Sequence, residues 1–568
     1  MDEARIGVFI CHCGSNIAGF VDVPELVQYA RTLPHVVFTQ DNMYTCSDAG
    51  RAEIVKNIAE HDLNRVVVAA CTPRTHEPLF RATCQQAGLN PYLFEFANIR
   101  DQCSWVHMRE KERATGKAKD LLRMSVARAA LLEPKERIQV EVVPAALVIG
   151  AGVAGLSAAL SLANRGFEVK LVEREKEMGG LLKSLHRLYP TGEDARTFVE
   201  AKAQAVKAHP SIEVFTEAEV RDVRGFVGNY EVVVGQGARE FGFSVGAIIV
   251  ATGAQELKPV GLYGYDSERV ITQEELERML TQRLAEKPTT MGSGDPLAGS
   301  IVMIQCAGAR DEVRPYCSRI CCMTAIKNAL LIKEAEPEAQ VYVLYRDMLT
   351  LGVEQESLYR EARGQGVTFI QYSPQSPPTV NGMQVIVHDE LLGQKLSIPC
   401  DLVVLSTPLV GQADAAKLAQ MLKVPVDEHG FFLEAHVKLR PLDFATDGIF
   451  LCGSARWPAD VGESVAQGQG AAARASIVLS REEMEVEPIV SVVDEEKCIA
   501  CGLCTTVCPY SAIVLRDTGE GRKAQTIAAS CKGCGVCGAS CPRMAISMQH
   551  FTDRQLFAQI DALLETAT

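Results

Sequence analysis

The sequence lacks any uninterrupted run of about 18 apolar residues, so it predicts no membrane-spanning helix. It has no excess of basic residues: 57 lysines and arginines against 71 aspartates and glutamates give a net charge of −14, which argues against a general nucleic-acid-binding protein. The first ten residues, MDEARIGVFI, show no secretory signal. These absences predict a cytoplasmic protein whose 20 cysteines stay reduced and serve metal or redox chemistry.

Eight of the cysteines lie in two copies of one motif, CIACGLCTTVCP (498–509) and CKGCGVCGASCP (531–542). The spacing C-x2-C-x2-C-x3-C-P directs three thiolates to one [4Fe–4S] cube and the fourth to a neighbouring cube. It predicts one cluster on Cys498, Cys501, Cys504 and Cys541, and a second on Cys531, Cys534, Cys537 and Cys508. Two zinc knuckles are the alternative, which the repeated proline-terminated form disfavours. This part of the chain resembles a bacterial two-cluster ferredoxin domain.

The middle of the chain carries the pattern of a dinucleotide-binding site. In the segment 145–175 an apolar strand leads into Gly150, Gly152 and Gly155, a helix follows, and a second strand ends at Glu173. The glycines permit a tight turn and close approach of a pyrophosphate to the helix N-terminus, and Glu173 is placed to accept a hydrogen bond from a ribose hydroxyl.

Three later segments extend this pattern, and together they resemble the flavoprotein disulfide reductases near their thioredoxin reductase branch. They are EMGGLL (177–182), AIIVATGA (247–254) and the long segment 447–475, which in that family lines the flavin ring. The resemblance implies bound FAD. The family usually has an aspartate where this chain has Ser454. Beyond the first glycines and Glu173, the candidate FAD-binding residues are Gly180, Thr252, Gly253, Gly453, Ser454, Glu463, Ser464 and Val465.

Those enzymes also carry a second dinucleotide-binding unit for NAD(P)H, and the corresponding stretch here has the expected strand (301–305), helix (322–334) and strand (340–346) but the wrong loop. In place of a glycine-rich phosphate loop it has four cysteines: Cys306, Cys317, Cys321 and Cys322. We interpret the loop as a nucleotide site converted into a cluster site, where the helix dipole favours an anionic cluster. The alternative is that these are buried structural cysteines.

Lys327 lies just over one turn beyond Cys322 on the same predicted helix, roughly on the same face. If that helix N-terminus adjoins the flavin, the ammonium of Lys327 stabilises an anionic reduced flavin, and we therefore name it as the candidate catalytic residue. A surface lysine is the alternative.

The first hundred residues alternate strands and helices, which predicts a small parallel α/β domain. Ligands of such sheets collect at the carboxyl ends of the strands, where four cysteines follow four strands. The predicted ligands are Cys13, Cys46, Cys71 and Cys103. Cys11 competes with Cys13, which we prefer because Gly14 allows a turn there, and Cys84 is expected to be core. A zinc site with mixed ligands, drawing on His12, His76 and His107, remains an alternative.

Motifs along the whole chain resemble the A-type subunit of heterodisulfide reductase and its homologues. They include VFICHCGSNIAG (8–19), ACTPRTHEP (70–78), QCSWVH (102–107), YCSRICCMTAIKNA (316–329) and ESVAQG (463–468). Some members of that family carry another two-cluster ferredoxin after the first flavin-binding half, but residues 255–300 here contain no cysteine. The cofactors expected are therefore FAD and four [4Fe–4S] clusters.

The resemblance implies flavin-based electron bifurcation, in which electron pairs are split between ferredoxin and a disulfide-type acceptor on partner subunits. It implies as partners the B- and C-type subunits of a heterodisulfide-reductase-like complex, an electron-input module such as a hydrogenase or formate dehydrogenase, and ferredoxin. The flavin-binding part contains no C-x-x-C pair, so the chain is not expected to reduce a disulfide alone. Two other functions stay open: an NAD(P)H-dependent oxidoreductase resembling the glutamate synthase small subunit, and a non-bifurcating electron conduit.

The predicted fold class is multidomain α/β: a small parallel α/β domain, a thioredoxin-reductase-like core with two dinucleotide-binding units, and a two-cluster ferredoxin domain. The predicted domains are an N-terminal iron–sulfur domain with a linker helix at 1–140, the FAD-binding domain at 141–258 and 405–482, the NAD(P)H-domain-like unit with the cluster loop at 259–404, the ferredoxin domain at 483–550 and a C-terminal helix at 551–568.

Overall fold

A computed structural model describes residues 3–265, 268–285, 296–519 and 521–565 of the chain. The chain forms two compact units, one made of residues 1–139 and 485–568 and the other of residues 140–484. Strand β5 (Ile138–Glu141) and a later strand at Glu483–Val486 lie where the chain passes between them. Within the described residues, no helix is long and apolar enough to cross a membrane.

The N-terminal part of the first unit is a parallel four-stranded sheet with strand order β2-β1-β3-β4. Its elements are β1 (Ile6–Cys11), α1 (Val23–Ala30), β2 (Val36–Asn42), α2 (Asp48–Glu60), β3 (Arg65–Ala70), α3 (Pro73–Gln86), β4 (Phe94–Asn98) and α4 (Lys111–Ala129). The alternation predicted from the sequence is confirmed with ends shifted by a few residues. The linker helix predicted within the first 140 residues is α4.

Local sequence explains why these elements form. Strand β1 is buried along its whole length, as expected for an apolar strand in a parallel sheet that is covered on both faces. The side chain of Asp22 accepts a hydrogen bond from Glu25 N and caps α1, while Ser47 caps α2 through Gly50 N. Strand ends and helix starts are thereby fixed at one edge of the sheet, where the candidate cysteines lie.

The second unit contains two five-stranded sheets. The first has the order β23-β12-β6-β7-β8 and is formed by strands far apart in sequence. Its elements and the antiparallel hairpins beside it are β6 (Ala145–Ile149), α5 (Val153–Ala163), β7 (Glu168–Val172), α6 (Ala195–Ala208), β8 (Ile212–Phe215), β9 (Ala218–Phe226), β10 (Asn229–Gln236), β11 (Arg239–Val245), β12 (Ala247–Val250) and β13 (Ala254–Glu256). Parallel pairing of β6 with β7 and β12 places the loop after β6 at the carboxyl edge of this sheet.

The second sheet has the order β14-β21-β15-β16-β17 and its strands are all parallel. The elements from here to the end of the unit are β14 (Val270–Thr272), α7 (Gln273–Ala285), β15 (Ser300–Ile304), α8 (Cys321–Ala335), β16 (Gln340–Tyr345), α9 (Val353–Gly364), β17 (Thr368–Gln371), β18 (Thr379–Val380), β19 (Gln384–Asp389), β20 (Gln394–Pro399), β21 (Leu402–Leu405), β22 (Leu409–Gly411), α10 (Ala415–Leu422), β23 (Ile449–Leu451), α11 (Val461–Leu479) and β24 (Glu483–Val486). The two sheets are the two dinucleotide-binding units that the sequence predicts.

The C-terminal part of the first unit is small and built from short elements. They are β25 (Ser491–Val493), α12 (Leu503–Val507), β26 (Ile513–Thr518), β27 (Gly521–Thr526), α13 (Val536–Ser540), β28 (Ile546–Met548) and α14 (Asp553–Leu564). Strand β25 pairs with β28 and β26 with β27, both antiparallel, so the two halves of this part face each other.

The last helix, α14, packs against α4. Its N-cap is Thr552, and Gln555 Nε2 donates to Leu131 O at 3.0 Å. Two arginines of α4, the buried Arg123 and the partly buried Arg128, reach the same segment: Arg128 donates to His550 O at 2.9 Å and Arg123 donates to Ala562 O. The last three residues of the helix predicted at 551–568 lie outside the described residues. The C-terminal segment is therefore tied to the N-terminal part of its own unit.

Candidate redox site

A cavity of about 500 Å³ lies in the second unit at the loop that follows β6. Its lining includes the predicted FAD-binding residues Gly150, Gly152, Glu173, Gly180, Thr252, Gly253, Ser454 and Ser464. Residues from α7, α8 and the loop after β21 complete the wall. The cavity has the size and the glycine-rich wall of a cofactor site.

The glycines of the loop after β6 fit the pyrophosphate of a dinucleotide. Gly150 has φ 101°, and a Cβ there would lie 2.5 Å from Ala251 O. A Cβ on Gly155 would lie 1.9 Å from Gly150 O, so this glycine allows α5 to pack against the loop. A Cβ on Gly152, at the N-cap of α5, would meet no protein atom within 4 Å and would instead occupy the cavity. The free N–H groups of a helix N-terminus are suited to a phosphate there.

Glu173 is held at the wall of the cavity by backbone donors. Its Oε2 accepts from Ala151 N at 2.7 Å and its Oε1 accepts from Glu175 N at 2.9 Å. The carboxylate is thereby oriented at the end of β7, next to the glycine loop. Its predicted contact with a ribose hydroxyl stays a prediction.

The late FAD segment supports the same wall. Gly453 has φ 65°, and a Cβ there would lie 2.7 Å from Ala154 Cβ, so a glycine is required where this segment meets α5. Ser454 Oγ accepts from Ala459 N at 3.3 Å. Glu463 belongs to the capping box of α11 and pairs with Arg319 at 2.6 Å, while Val465 is half-buried. Of the predicted cofactor-binding residues, Gly155, Gly453, Glu463 and Val465 are outside the described lining of the cavity.

The four cysteines of the converted loop come together between the end of β15 and the start of α8. Cys306 is in the left-handed region at φ 59°, and Cys321 is the first residue of α8. Burial, and after it the nearby Cys306 and Cys317, raise the pKa of the Cys322 thiol to about 11. Burial followed by Cys322, Cys306 and Cys317 likewise holds the pKa of Cys321 well above its ordinary value. Cys321 also lines the cavity, so the loop and the cavity share a wall.

Two arginines face this group of thiols. Burial raises the pKa of Cys306, while the guanidinium groups of Arg310 and Arg346 oppose the rise. Arg310 is itself held by Asp347 at 2.6 Å. Positive charge beside the loop compensates part of the negative charge that four thiolates would bring together.

Lys327 lines the cavity but is not a surface lysine. Its ammonium is paired with the buried carboxylate of Glu277 and donates to Arg187 O at 2.9 Å. Burial lowers the pKa of Lys327, and Glu277 opposes that shift. Sequence reasoning missed Glu277, since a single glutamate within an ordinary amphipathic helix gives no signal of its partner.

At the carboxyl edge of the N-terminal sheet, the thiols that interact are those of Cys11, Cys13, Cys46 and Cys71. Burial raises the pKa of Cys71 to about 11, Arg100 opposes the rise, and the other three cysteines add to it. Burial and then Cys11 raise the pKa of Cys46. Cys13 has the left-handed conformation, φ 45°, and is followed by Gly14 at φ 54°.

Cys103 lies apart from that group. It is fully buried in the core of the N-terminal part, and its thiol donates to Ala114 O at 2.9 Å. Burial raises the pKa of Cys103 to about 11, with Lys117 the one charged group that opposes the rise. Cys84 is also core, as predicted, and burial raises its pKa to about 12.

Two small cavities in the C-terminal part gather the cysteines of the repeated motif. One is lined by Cys498, Cys501, Cys504 and Cys541, and the other by Cys508, Cys531, Cys534 and Cys537. Backbone N–H groups point at the sulfurs, with Ala512 N 3.2 Å from Cys508 Sγ and Ala545 N 3.3 Å from Cys541 Sγ. The fold thus assembles the same two sets of four that the spacing predicts.

Across the described ranges, no group of three or more histidine, cysteine, aspartate or glutamate side chains is close enough to hold one ion. His12, one candidate for a mixed zinc site, instead has Nε2 2.6 Å from Asp41 Oδ2.

Comparison with known proteins identifies the parts of the chain. The crystal structure of T. acidophilum thioredoxin reductase aligns over 58% of this chain and 96% of its own, with 17% identity and a TM-score of 0.41. Residues 144–310 match the family model described as pyridine nucleotide-disulphide oxidoreductase, and residues 491–548 match that of a 4Fe-4S dicluster domain. The two matched models identify the chain as an oxidoreductase with a pyridine nucleotide-disulphide oxidoreductase domain and a 4Fe-4S dicluster domain.

Relatives of the whole chain define the family. The second iron–sulfur A-type subunit of CoB–CoM heterodisulfide reductase from Methanopyrus kandleri is 42% identical, covering 99% of this chain and 98% of the relative. The A-type subunit of H(2):CoB-CoM heterodisulfide,ferredoxin reductase from Methanothermobacter thermautotrophicus is 40% identical, and a protein of Archaeoglobus profundus that is like the same subunit is 36% identical, each over 99% of this chain and 98% of the relative. The chain belongs to the family of heterodisulfide reductase A-type subunits. It is an electron-transfer subunit with FAD and [4Fe–4S] clusters.

The alignments are longer than this chain, 650 positions for the first relative against 568 residues. That relative therefore carries residues with no counterpart here.

The cavity space beside Gly152 allows the position of the FAD pyrophosphate to be tested by substitution. Gly152→Ala leaves the fold unchanged, because the new methyl group meets no protein atom, but it weakens FAD binding by at least about tenfold, or roughly 1.4 kcal/mol, because the methyl group stands where the pyrophosphate approaches. Flavin fluorescence titration of the flavin-free protein measures the affinity. Gly242→Ala, also without protein atoms within 4 Å, is the matched control and retains full affinity. Equal affinities of the two variants would place the phosphates elsewhere.

Proposed function

We propose that this chain is the site of flavin-based electron bifurcation in a heterodisulfide-reductase-like complex, dividing electron pairs between ferredoxin and a disulfide-type acceptor on partner subunits. The observation that supports it best is the position of Cys306, Cys317, Cys321 and Cys322. They occupy the strand–helix loop where a related enzyme would hold the phosphates of NAD(P)H, and Cys321 shares the wall of the FAD cavity. A one-electron carrier there replaces hydride delivery to the flavin.

We infer four clusters, two of which the repeated motif holds in the ferredoxin domain. The third is ligated by Cys306, Cys317, Cys321 and Cys322. The fourth is N-terminal, and the mutual effects of its thiols on their pKa values support Cys11, Cys13, Cys46 and Cys71 as its ligands in place of a set containing Cys103. Cys11 and Cys13 then both contribute, because the left-handed backbone at Cys13 turns its side chain relative to that of Cys11.

Bound FAD supplies a centre that accepts two electrons together, and the clusters supply carriers that accept one at a time. The chain places one cysteine loop beside the cavity, with Cys322 buried and Cys306, Cys317 and Cys321 partly buried. Lys327 is held at the cavity wall by its ion pair with Glu277, and we infer that the pair lies beside the flavin with the ammonium toward the cavity. Because burial lowers the pKa of Lys327, loss of its proton is easier than for an exposed lysine.

The partners proposed follow from the family. The relative from M. thermautotrophicus is named as the A-type subunit of an H(2):CoB-CoM heterodisulfide,ferredoxin reductase. We infer that this chain assembles with B- and C-type subunits and with an electron-input module, and that ferredoxin is one of its acceptors.

Bifurcation requires the two one-electron potentials of the bound flavin to be crossed, so that the first electron is harder to add than the second. A spectroscopic redox titration of the purified chain measures both, and Lys327→Met reduces the separation because a positive charge at the cavity wall is lost. Uncrossed potentials would leave the chain an electron conduit. Rapid bleaching of the flavin by NAD(P)H would instead favour the NAD(P)H-dependent oxidoreductase.

The third cluster is tested by Cys322→Ser. The intact chain holds roughly sixteen iron atoms in four cubes, and this variant loses about four of them while retaining FAD, because its ligand is lost but the glycine loop is untouched. Iron and acid-labile sulfide are measured per chain. Cys400→Ser, at a buried cysteine apart from the four candidate sites, is the control and keeps its iron. Iron retained in both variants would identify the four cysteines as structural.

Two cysteine variants distinguish the two candidate ligand sets of the fourth cluster. Cys11→Ser loses about four iron atoms per chain, because Cys11 is one of the four interacting thiols, whereas Cys103→Ser keeps them. Iron content of the two variants is compared in parallel, with circular dichroism to confirm that both are folded. The reverse pattern would return Cys103 to the ligand set.

A further inference from the structure

Gln305, the residue that follows β15, has a side chain with no internal partner. It is fully buried, and among the described residues neither its Nε2 nor its Oε1 has a hydrogen-bond partner. Burying an amide without hydrogen bonds is unfavourable, and buried polar side chains in folded proteins are nearly always paired. The position of Gln305 therefore suggests a partner that the polypeptide itself does not supply.

The strand pairing shows on which side of the sheet this amide lies. Ile304 pairs with Leu405, which brings Gln305 beside Ser406. Gln273 Nε2 of α7 donates to Ser406 Oγ at 3.0 Å and lies 3.7 Å from Met303 Sδ. Met303 precedes Gln305 by two residues and faces the same side of the strand. Gln305 thus belongs to the face of the sheet that α7 and α8 cover.

The reactive side chains nearest to Gln305 at this edge of the sheet are those of the cysteine loop. Gln305 directly precedes Cys306, and α8, on the same face, begins with Cys321 and Cys322. Thr407, at the same edge, also lacks a hydrogen-bond partner: its Oγ1 is buried and has none in the described part of the chain. The carbonyl of Thr407 lies 3.5 Å from Cys321 Sγ. Two polar side chains at the ends of neighbouring strands are thus unsatisfied beside the same four thiols.

We propose that Gln305 donates an Nε2–H hydrogen bond to a sulfur of the cluster held by Cys306, Cys317, Cys321 and Cys322, and so raises its reduction potential, with Thr407 Oγ1 as a weaker second donor. This rests on the proposed function, in which those cysteines hold a [4Fe–4S] cluster. Reduction adds one electron to the cluster and no proton leaves the amide. Donors to cluster sulfurs stabilise the more negative reduced state, so Gln305 is a positioning residue that adjusts the potential of the carrier beside the flavin.

The test is the variant Gln305→Met, which keeps the length of the side chain and removes the donor. The midpoint potential of this cluster is followed by EPR-monitored titration of the full chain, using the signal that Cys322→Ser lacks. At the wild-type midpoint the ratio of reduced to oxidised cluster falls about tenfold, which is 59 mV for one electron. Thr407→Val shifts the potential in the same direction by less. Gln555→Met, at a buried glutamine of the other unit that has its own partners, leaves it unchanged.

Thermal unfolding of the iron-free protein gives a second readout. Gln305→Met does not lower the melting temperature of that form, because it replaces an unsatisfied amide with an apolar group. A lower melting temperature with an unchanged midpoint potential would overturn the proposal and identify an internal water as the partner of Gln305.

If Gln305→Met fails to bind iron, the midpoint potential of the cluster is measured in Gln305→Asn, whose shorter side chain moves the amide away from the cluster. A more negative midpoint potential supports the proposal, and an unchanged one overturns it. A wild-type spectrum identical to that of Cys322→Ser would instead refute the cluster itself, and with it the proposed function.

Discussion

The crowding of thiols in buried loops is the constraint on which the rest of this protein depends. Cys321 and Cys322 are adjacent in sequence and lie beside Cys306 and Cys317, and burial with mutual repulsion raises the pKa values of their thiols. Four thiolates at that place are unfavourable unless cations join them, so iron binding and release of the thiol protons must occur together. Arg310 and Arg346 supply only part of the compensating charge. The raised pKa values therefore favour neutral thiols in the metal-free loop, and the proposed cluster would have to displace their protons.

The second unit contains the same strand–loop–helix arrangement twice. After β6 a glycine loop leads into α5, and after β15 a cysteine loop leads into α8, each at the carboxyl edge of a parallel sheet. Glycine at Gly150 and Gly155 is required by contacts with backbone oxygens, which leaves the N-terminus of α5 open to a phosphate. In the second loop, side chains fill the corresponding place. In the proposed function, the same strand–loop–helix geometry would hold a nucleotide in one case and a cluster in the other.

Local patterns were sufficient to predict most of the fold from the sequence. The apolar strands, the alternation of the N-terminal part and the sets of four in the ferredoxin motif all follow from spacing within short segments. Contacts between distant segments were not predictable in that way. Nothing near Cys103 signals that its thiol donates to Ala114 O, and nothing near Lys327 signals its pairing with Glu277. Gln305 was also missed, because a glutamine at a strand end is ordinary until its burial and its lack of internal partners are known.

The anchoring of α14 on α4 has a consequence for biosynthesis. The first unit consists of the two ends of the chain, and Arg123 and Arg128 of α4 bind carbonyls of residues near the C-terminus. Domains tend to fold as they leave the ribosome, the N-terminal ones first. Here the N-terminal part must wait for the last residues before its helix α4 is covered, whereas the second unit, residues 140–484, is complete earlier. The order of synthesis thus gives the flavin-binding unit time to mature before the ends of the chain close.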